Sequence, residues 1–390
     1  MKKSNSKLVI YVAVAVVVAI IMSVCVLMIV INNPFEKKTV FAFEQPASGS
    51  GTGYFRHCYE ELNENEKLIY SVILNSVYEL PERIEIPALE EGSDLSAIFS
   101  ALSYDNPDII FLGLDSTVYN EGKKTYFEAQ YTMSKEQYDQ YIAEIDSIVA
   151  AVVQGASSYT STYEKELYVH DYIVNHCVYM NSTSDNFANG AYGCLVLGSA
   201  SCEGYSRAFQ LLLNKLDIDN RLVTGQACET GGTEYIGHMW NYVVIDSLGY
   251  FVDVTWDDPT SNTSILRHTY FNINSNDVLM RHRDIKQTIP LVTNTQHNYY
   301  VYENCYFTEG AGEAFEQAAK NCVFTSIQRG YRAVEMRFSD KNVMTTAMDS
   351  LVTKGVIYDM YNEAGLIKDI SSAKVYYSTD DSMCSICLFF

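Results

Sequence analysis

Two stretches decide how this chain folds: GSASCEGYSRAF, residues 198–209, and EYIGHMWNYVVIDSLGYFVDVTWDD, residues 234–258. The first opens a helix. After Cys202, apolar side chains recur at Tyr205, Ala208, Phe209, Leu211, Leu212, Leu213 and Leu216, a face so broad that the helix is expected to be largely buried. Ser201 is the expected N-cap, which puts Cys202 in the first turn. There the unpaired amides and the helix dipole favour an anion, and the thiolate is the attacking form of a cysteine. The Cys202 backbone N–H is placed to meet a developing oxyanion. Against this stands the plain alternative of a small buried cysteine that only packs.

The second stretch reads as a hairpin. His238 to Ile245 alternates, with His238, Trp240, Tyr242 and Val244 on one face. Tyr250 to Trp256 also alternates, with Phe251, Asp253 and Thr255 together. Asp246-Ser-Leu-Gly249 is the turn between them. For a loop of even length, His238 and Asp253 share a face. They stand diagonally, about two to four residues out of register, a gap that twist or a bulge can close. A histidine beside a thiol takes its proton or pairs with the thiolate, and a carboxylate on the other ring nitrogen fixes the tautomer. Taken singly, His238 and Asp253 also fit an ordinary polar strand face. Trp240 either walls the site or packs in the core.

Outward from there, an uncharged run from Leu8 to Ile31 exceeds the ~20 residues that cross a bilayer as a helix. Lys2, Lys3 and Lys7 precede it, so a single-pass signal anchor is expected, with the C-terminal bulk extracellular. No small-residue cleavage site follows the run, which argues against a removed signal peptide. The net charge of −21 repels nucleic acid phosphates, so no nucleic acid partner is expected. The 31 tyrosines fit either a binding surface or strand-rich packing with polar tips. The ten cysteines form no dense framework, and no disulfide is assigned. Cys384-Ser-Ile-Cys387 lacks a second half for a zinc site. Neither metal nor cofactor is implied.

Residues 34–53 read as a Gly/Ser tether after the anchor at 1–33. An N-terminal α/β region is expected at 54–154, a catalytic domain at 155–298 and a small α/β accessory domain at 299–390. Helices are read at Glu60–Glu79, with Asn63 and Glu66 as a capping element, Asp94–Leu102, Ser134–Val153, opened by the capping pattern Ser134-x-x-Gln137, Tyr163–Tyr179, Gly312–Asn321 and Asn342–Val352. Strands are read at Ile109–Leu112, Lys124–Tyr131, Thr269–Ile273, Ala333–Phe338, Lys374–Tyr377 and Cys384–Phe390. His170 and His176 read as packing or capping residues. His268, His282 and His297 are too widely spaced for a metal motif and are expected at the surface.

Three blocks now stand in order: Ser201-Cys-Glu-Gly-Tyr-Ser206 with Ala208-Phe209, His238-Met-Trp-Asn-Tyr-Val243, and Val252-Asp-Val-Thr-Trp-Asp-Asp258. Together they resemble the transglutaminase-like (transglutaminase core) superfamily over roughly Tyr163 to Pro259. His170-Asp-Tyr172 and Ala191-Tyr-Gly193 resemble its bacterial branch. Met239 stands where a small residue is commoner. The resemblance implies an α+β, papain-like core: a helix bearing the cysteine packed on an antiparallel sheet bearing the histidine and aspartate. It implies Cys202 as nucleophile, His238 as base and acid, and Asp253 as orienter, with Tyr192 as an auxiliary oxyanion donor.

The reading that follows is a membrane-anchored, exported thiol enzyme. It would attack amide bonds of proteins or peptides, cell-wall peptides among them, by hydrolysis or by crosslinking transfer. The rival is a catalytically inactive binding or scaffold protein of the same fold at the cell surface.

Overall fold

The computed structural model describes residues 54–390 apart from 114, 182–186, 230–231, 259–264 and 368–373. The architecture is α+β, and the helix Cys202–Lys215 lies at its centre. Its broad apolar face is fully used: Tyr205, Ala208, Phe209, Leu212 and Leu213 have no measurable exposure. Each large side chain buried this way contributes about 1.5–3 kcal/mol.

The helix packs on a four-stranded sheet. Its strand order is Leu248–Val252, Ile236–Ile245, Asn220–Ala227, His282–Arg283, antiparallel throughout. The two strands Ile236–Ile245 and Leu248–Val252 form the expected hairpin, joined by Asp246 and Ser247, both at positive φ. That left-handed pair suits the twist of a tight hairpin. The second strand is shorter than its alternation predicts. It ends at Val252, and Asp253 caps a short helix, Val254–Asp257.

Besides the two-stranded pair Val178–Tyr179 and Ser199–Ala200, two larger sheets of three and four strands sit around this core. Arg83–Ile86, Lys124–Glu128 and Thr117–Glu121 form one, covered by the helices Glu64–Val77 and Leu95–Asp105. The expected Asn63/Glu66 and Ser134/Gln137 capping boxes are both made. The expected strand at Ile109–Leu112 is not formed; Leu112 makes a single bridge to Tyr131. Thr269–Ile273 is likewise reduced to a bridge between Phe251 and Ile273. In both, β-rich composition meets a buried loop that forms only an isolated bridge.

The other sheet runs Tyr306–Phe307, Ala333–Phe338, Ser385–Phe389, Tyr376–Asp380. Its buried residues Val334, Met336, Ile386 and Leu388 belong to the same apolar core as the Cys202 helix. All nine described cysteines are free. The thiols of Cys177 and Cys194 are neighbours, as are those of Cys305 and Cys322.

The expected membrane anchor is corrected. Among the described residues no helix is long and apolar enough to cross a membrane. The longest, Lys135–Ala156, carries Lys135, Glu136, Asp139, Glu144 and Asp146, and it packs only one face inward. The run Leu8 to Ile31, on which the anchor, the membrane partner and the single-pass localisation rested, lies outside the described residues. Over the described residues the fold is an α+β core in which no helix could cross a membrane.

Candidate active site

Cys202 stands at the first position of its helix, as the cap pattern predicts. Ser201 has the extended backbone of an N-cap, but its hydroxyl does not cap. Its Oγ lies 2.6 Å from Asn189 Oδ1 and 3.3 Å from the Ala188 carbonyl. The hydroxyl thus ties the helix start to the 188–189 loop and leaves the first-turn amides without a side-chain acceptor from Ser201. Gly198, at φ +67, makes the turn that feeds this segment into the helix.

Gly204 lets the helix start approach closely. A Cβ there would overlap the Ala188 carbonyl and lie 2.7 Å from Ala200 Cβ. Both obstacles are backbone or its first carbon, so neither can swing away. Gly204→Ala is expected to push the first helical turn outward and slow alkylation at Cys202 by about tenfold, since misplacement of about 1 Å costs up to 10²-fold. Peptide mapping after timed labelling measures this, and an unchanged rate would contradict it.

The N-terminal region braces the same helix. Arg207 Nε bonds Glu203 at 2.9 Å, and its two terminal nitrogens bond the Ser103 carbonyl and hydroxyl at 2.7 Å. Gln210 Nε2 donates to the Tyr104 carbonyl at 2.8 Å. Cys202 itself is 8% exposed, packed with Leu222 and Met239 under Tyr104 and Tyr179.

His238 points from its strand into the same buried centre, opposite Gly225 of the neighbouring strand. Its Nε2 lies 2.7 Å from Asp253 Oδ2. The diagonal gap between the two is closed by the end of the aspartate strand. Asn241 pairs with Val252, and one residue later Asp253 leaves the sheet, so its carboxylate is free to reach along the strand toward His238. Its Oδ1 accepts from the Trp256 amide at 3.2 Å, the cap of the short helix. Asp253 is thus a cap as well as a histidine partner.

Burial opposes charge on the His238 ring, but Asp253 and then the Cys202 sulfur outweigh it and raise its pKa to about 10. The Cys202 thiol lies near enough to this ring to favour its charged form. Since Nε2 faces Asp253, Nδ1 is the nitrogen left for the sulfur. Burial also opposes ionisation of Asp253, yet the His238 charge and the two imidazoles hold its carboxyl well below the usual range.

Two of the histidines expected at the surface are instead part of buried clusters. His282 has no exposure, and its Nε2 lies 2.9 Å from Asp253 Oδ2. His268 is 1% exposed, held between Asp171 and Glu335 at 3.0 and 2.7 Å. His297 is buried as well, against the Tyr250 hydroxyl at 3.1 Å. All three lie in loops or short strands, where spacing carries no periodic burial signal. His170 is buried, as a packing role predicts, between Asp171 and Asp257 at 3.1 and 3.2 Å.

Tyr192 donates its hydroxyl to Glu144 Oε2 at 2.7 Å, and its ring packs on Tyr141 and Phe187. Trp240 is fully buried and stacks on His238, with ring centroids 5.9 Å apart. Its ring packs in the core beside the imidazole.

His238, Asp253 and His282, like His170, Asp171 and His268, bring ligand-type atoms within 4.8 Å of one another. In each group the nitrogens face a carboxylate oxygen directly, at 2.7–3.1 Å. These are hydrogen-bond separations that occupy the donors a cation would need. A cleft of about 320 Å³ opens beside His238, lined by Tyr179, Ile236, Trp256, Arg267 and Tyr270 and by the carboxylates Glu229, Asp258 and Asp380.

Residues 147–254 match the transglutaminase-like superfamily. The match ends just past Asp253 and takes in Cys202 and His238. No curated protein matches the chain. Among solved structures, the chain is similar to a candidate cysteine protease from Cytophaga hutchinsonii, with 16% identity, 34% of this chain and 51% of that one covered, and a TM-score of 0.25. It is also similar to a TGase, with 15% identity, 59% of each chain covered and a TM-score of 0.28. A candidate protease from Parabacteroides distasonis gives 11% identity, 34% and 28% coverage and a TM-score of 0.23. The chain spans between about a quarter and three-fifths of the length of these structures.

Proposed function

We propose that the chain is a thiol acyl-transfer enzyme that attacks amide bonds of proteins or peptides. The observation that carries this reading is the 2.7 Å contact between His238 Nε2 and Asp253 Oδ2, with Cys202 near enough to the same imidazole to favour its charged form. In this reading Cys202 is the nucleophile. His238 takes the thiol proton, and the resulting ion pair is stabilised by Asp253 behind the ring. The sulfur adds to an amide carbonyl, and the Cys202 amide at the helix start stabilises the oxyanion. His238 then protonates the leaving nitrogen, and a thioester remains. Water releases an acid; an amine gives a new amide. Asp253 stays ionised throughout and keeps the ring oriented.

The test uses the full chain and a chloroacetamide probe, with labelling located by peptide mapping. Wild-type Cys202 is expected to label at least about 10²-fold faster at pH 7 than in His238→Ala, the span of general-base assistance. Equal, slow labelling in both would overturn the reading. Incubation with a protein mixture and a fluorescent primary amine then separates the outcomes: incorporated fluorescence reports transfer, new amino termini or ammonia report hydrolysis.

A further inference from the structure

His282 is used by nothing in the mechanism above, yet it touches the same carboxylate oxygen as His238. Both Nε2 atoms converge on Asp253 Oδ2, at 2.7 and 2.9 Å. The other ring nitrogen of His282, Nδ1, lies 3.1 Å from the Val278 carbonyl. The ring is held by three aromatic neighbours, Trp240, Trp256 and Tyr270, with centroids 4.7, 4.6 and 5.9 Å away. Its backbone is fixed by pairing with Ala227 at the sheet edge. The side chain is fully buried.

The Val278 carbonyl can only accept, so that contact needs a proton on Nδ1. The ionised Asp253 can also only accept, so the other contact needs a proton on Nε2. A neutral imidazole has one N–H and can satisfy one of the two. An imidazolium satisfies both. Working against that charge are burial and the neighbouring His238, which hold the His282 pKa below its ordinary value. The titratable groups facing the ring are Asp253, His238 and Tyr270. Beyond them, Tyr179 feels the charge of both Asp253 and Cys202.

We infer that His282 is a positioning residue of the thiol site: it clamps Asp253 and, by sharing Oδ2, limits that carboxylate's hold on a protonated His238. This rests on the thiol-enzyme reading above. The physical reason is that one carboxylate oxygen serves two donors. The hydrogen bond from His282 Nε2 draws charge from Oδ2, and that charge is then less available to stabilise the His238 imidazolium. His282 thereby keeps His238 able to give its proton to a leaving nitrogen, which a ring pinned too firmly as a cation would resist.

The experiment is the pH dependence of iodoacetamide alkylation at Cys202, read by peptide mapping in the full chain. The upper inflection of that profile marks loss of the His238 proton. His282→Phe keeps a ring between the tryptophans and removes both donors. Its upper inflection is expected to move up by about one pH unit. His282→Gln keeps an N–H within reach of Asp253 and is expected to stay near the wild-type profile. An unmoved or lowered inflection in His282→Phe, or an equal shift in His282→Gln, would overturn the inference. If His282→Phe does not fold by circular dichroism, imidazole NMR of the wild type decides. Linked two-step titration of His238 and His282 is expected, and two independent single-step curves would overturn it. Failure of the thiol-enzyme reading looks different: wild type and His238→Ala would then share one profile.

Discussion

In Asp253→Asn, amide turnover is expected to fall by about 10³- to 10⁴-fold, with the protein still folded. The residue has three demands on it. Two imidazole nitrogens share its Oδ2, and the Trp256 amide donates to its Oδ1. A carboxylate meets all three as an acceptor; an amide cannot. With the asparagine oxygen toward the histidines, its NH₂ faces the Trp256 N–H, and the short helix loses its cap. With the NH₂ toward the histidines, His238 Nε2 must accept, the ring proton moves to Nδ1, and the nitrogen meant for the thiol is blocked. Loss of the negative charge also removes the main influence that raises His238 to about 10 against its burial. The upper inflection of Cys202 alkylation is therefore expected to move down. Product formation and the alkylation profile measured on the same preparation check both. Turnover within a factor of about ten of wild type would show that Asp253 does not orient the histidine.

His268→Ala is expected to destabilise the fold by about 3–5 kcal/mol near neutral pH, because it leaves buried carboxylates without their cation. His268 joins Asp171 of the helix Thr162–His176 to Glu335 of the strand Ala333–Phe338. It also stacks on Tyr299 with centroids 3.9 Å apart. Tyr331 donates to the other oxygen of Asp171, and His170 continues the chain to Asp257. Removing one member strands the rest.

Burial disfavours charge on His268, but Asp171 and Glu335 raise its pKa to about 10. A raised histidine contributes fully below its unfolded value of about 6.5, and the contribution is lost as pH rises through about 10. Asp171 is buried too, yet His268 and His170 hold it well below the usual carboxylate range. Its contribution is present above about pH 4 and is lost as pH falls further. The difference between wild type and His268→Ala is thus expected to be largest between these limits and to shrink above pH 10. Urea unfolding at pH 7 and pH 10 measures it. A loss under about 1 kcal/mol at pH 7 would mean that the pair is no better than a solvated one.

Much of the local structure was legible in the chain. The capping signatures Asn63/Glu66 and Ser134/Gln137 both appear as capping boxes. Ala333–Phe338 forms a strand over the residues expected, and the helix after Cys202 is as buried as its apolar spread predicts. Such signals depend on neighbours within a few residues. Strands at Ile109–Leu112 and Thr269–Ile273 failed for the complementary reason: β propensity needs a partner edge, and these segments meet one only at a bridge.

Sequence by itself determined the apolar faces, the caps and the order of the three blocks, because periodicity and short spacing act locally. Only tertiary structure decided which polar groups meet. Asp253 reaches His238 because its strand stops and becomes a helix cap. His282 arrives on the same oxygen from a strand 29 residues further on, and His268 bridges carboxylates 97 and 67 residues away. No local pattern marks such contacts. They are set by how helix, sheet and loops close around a common core, where each buried charge must find its partner.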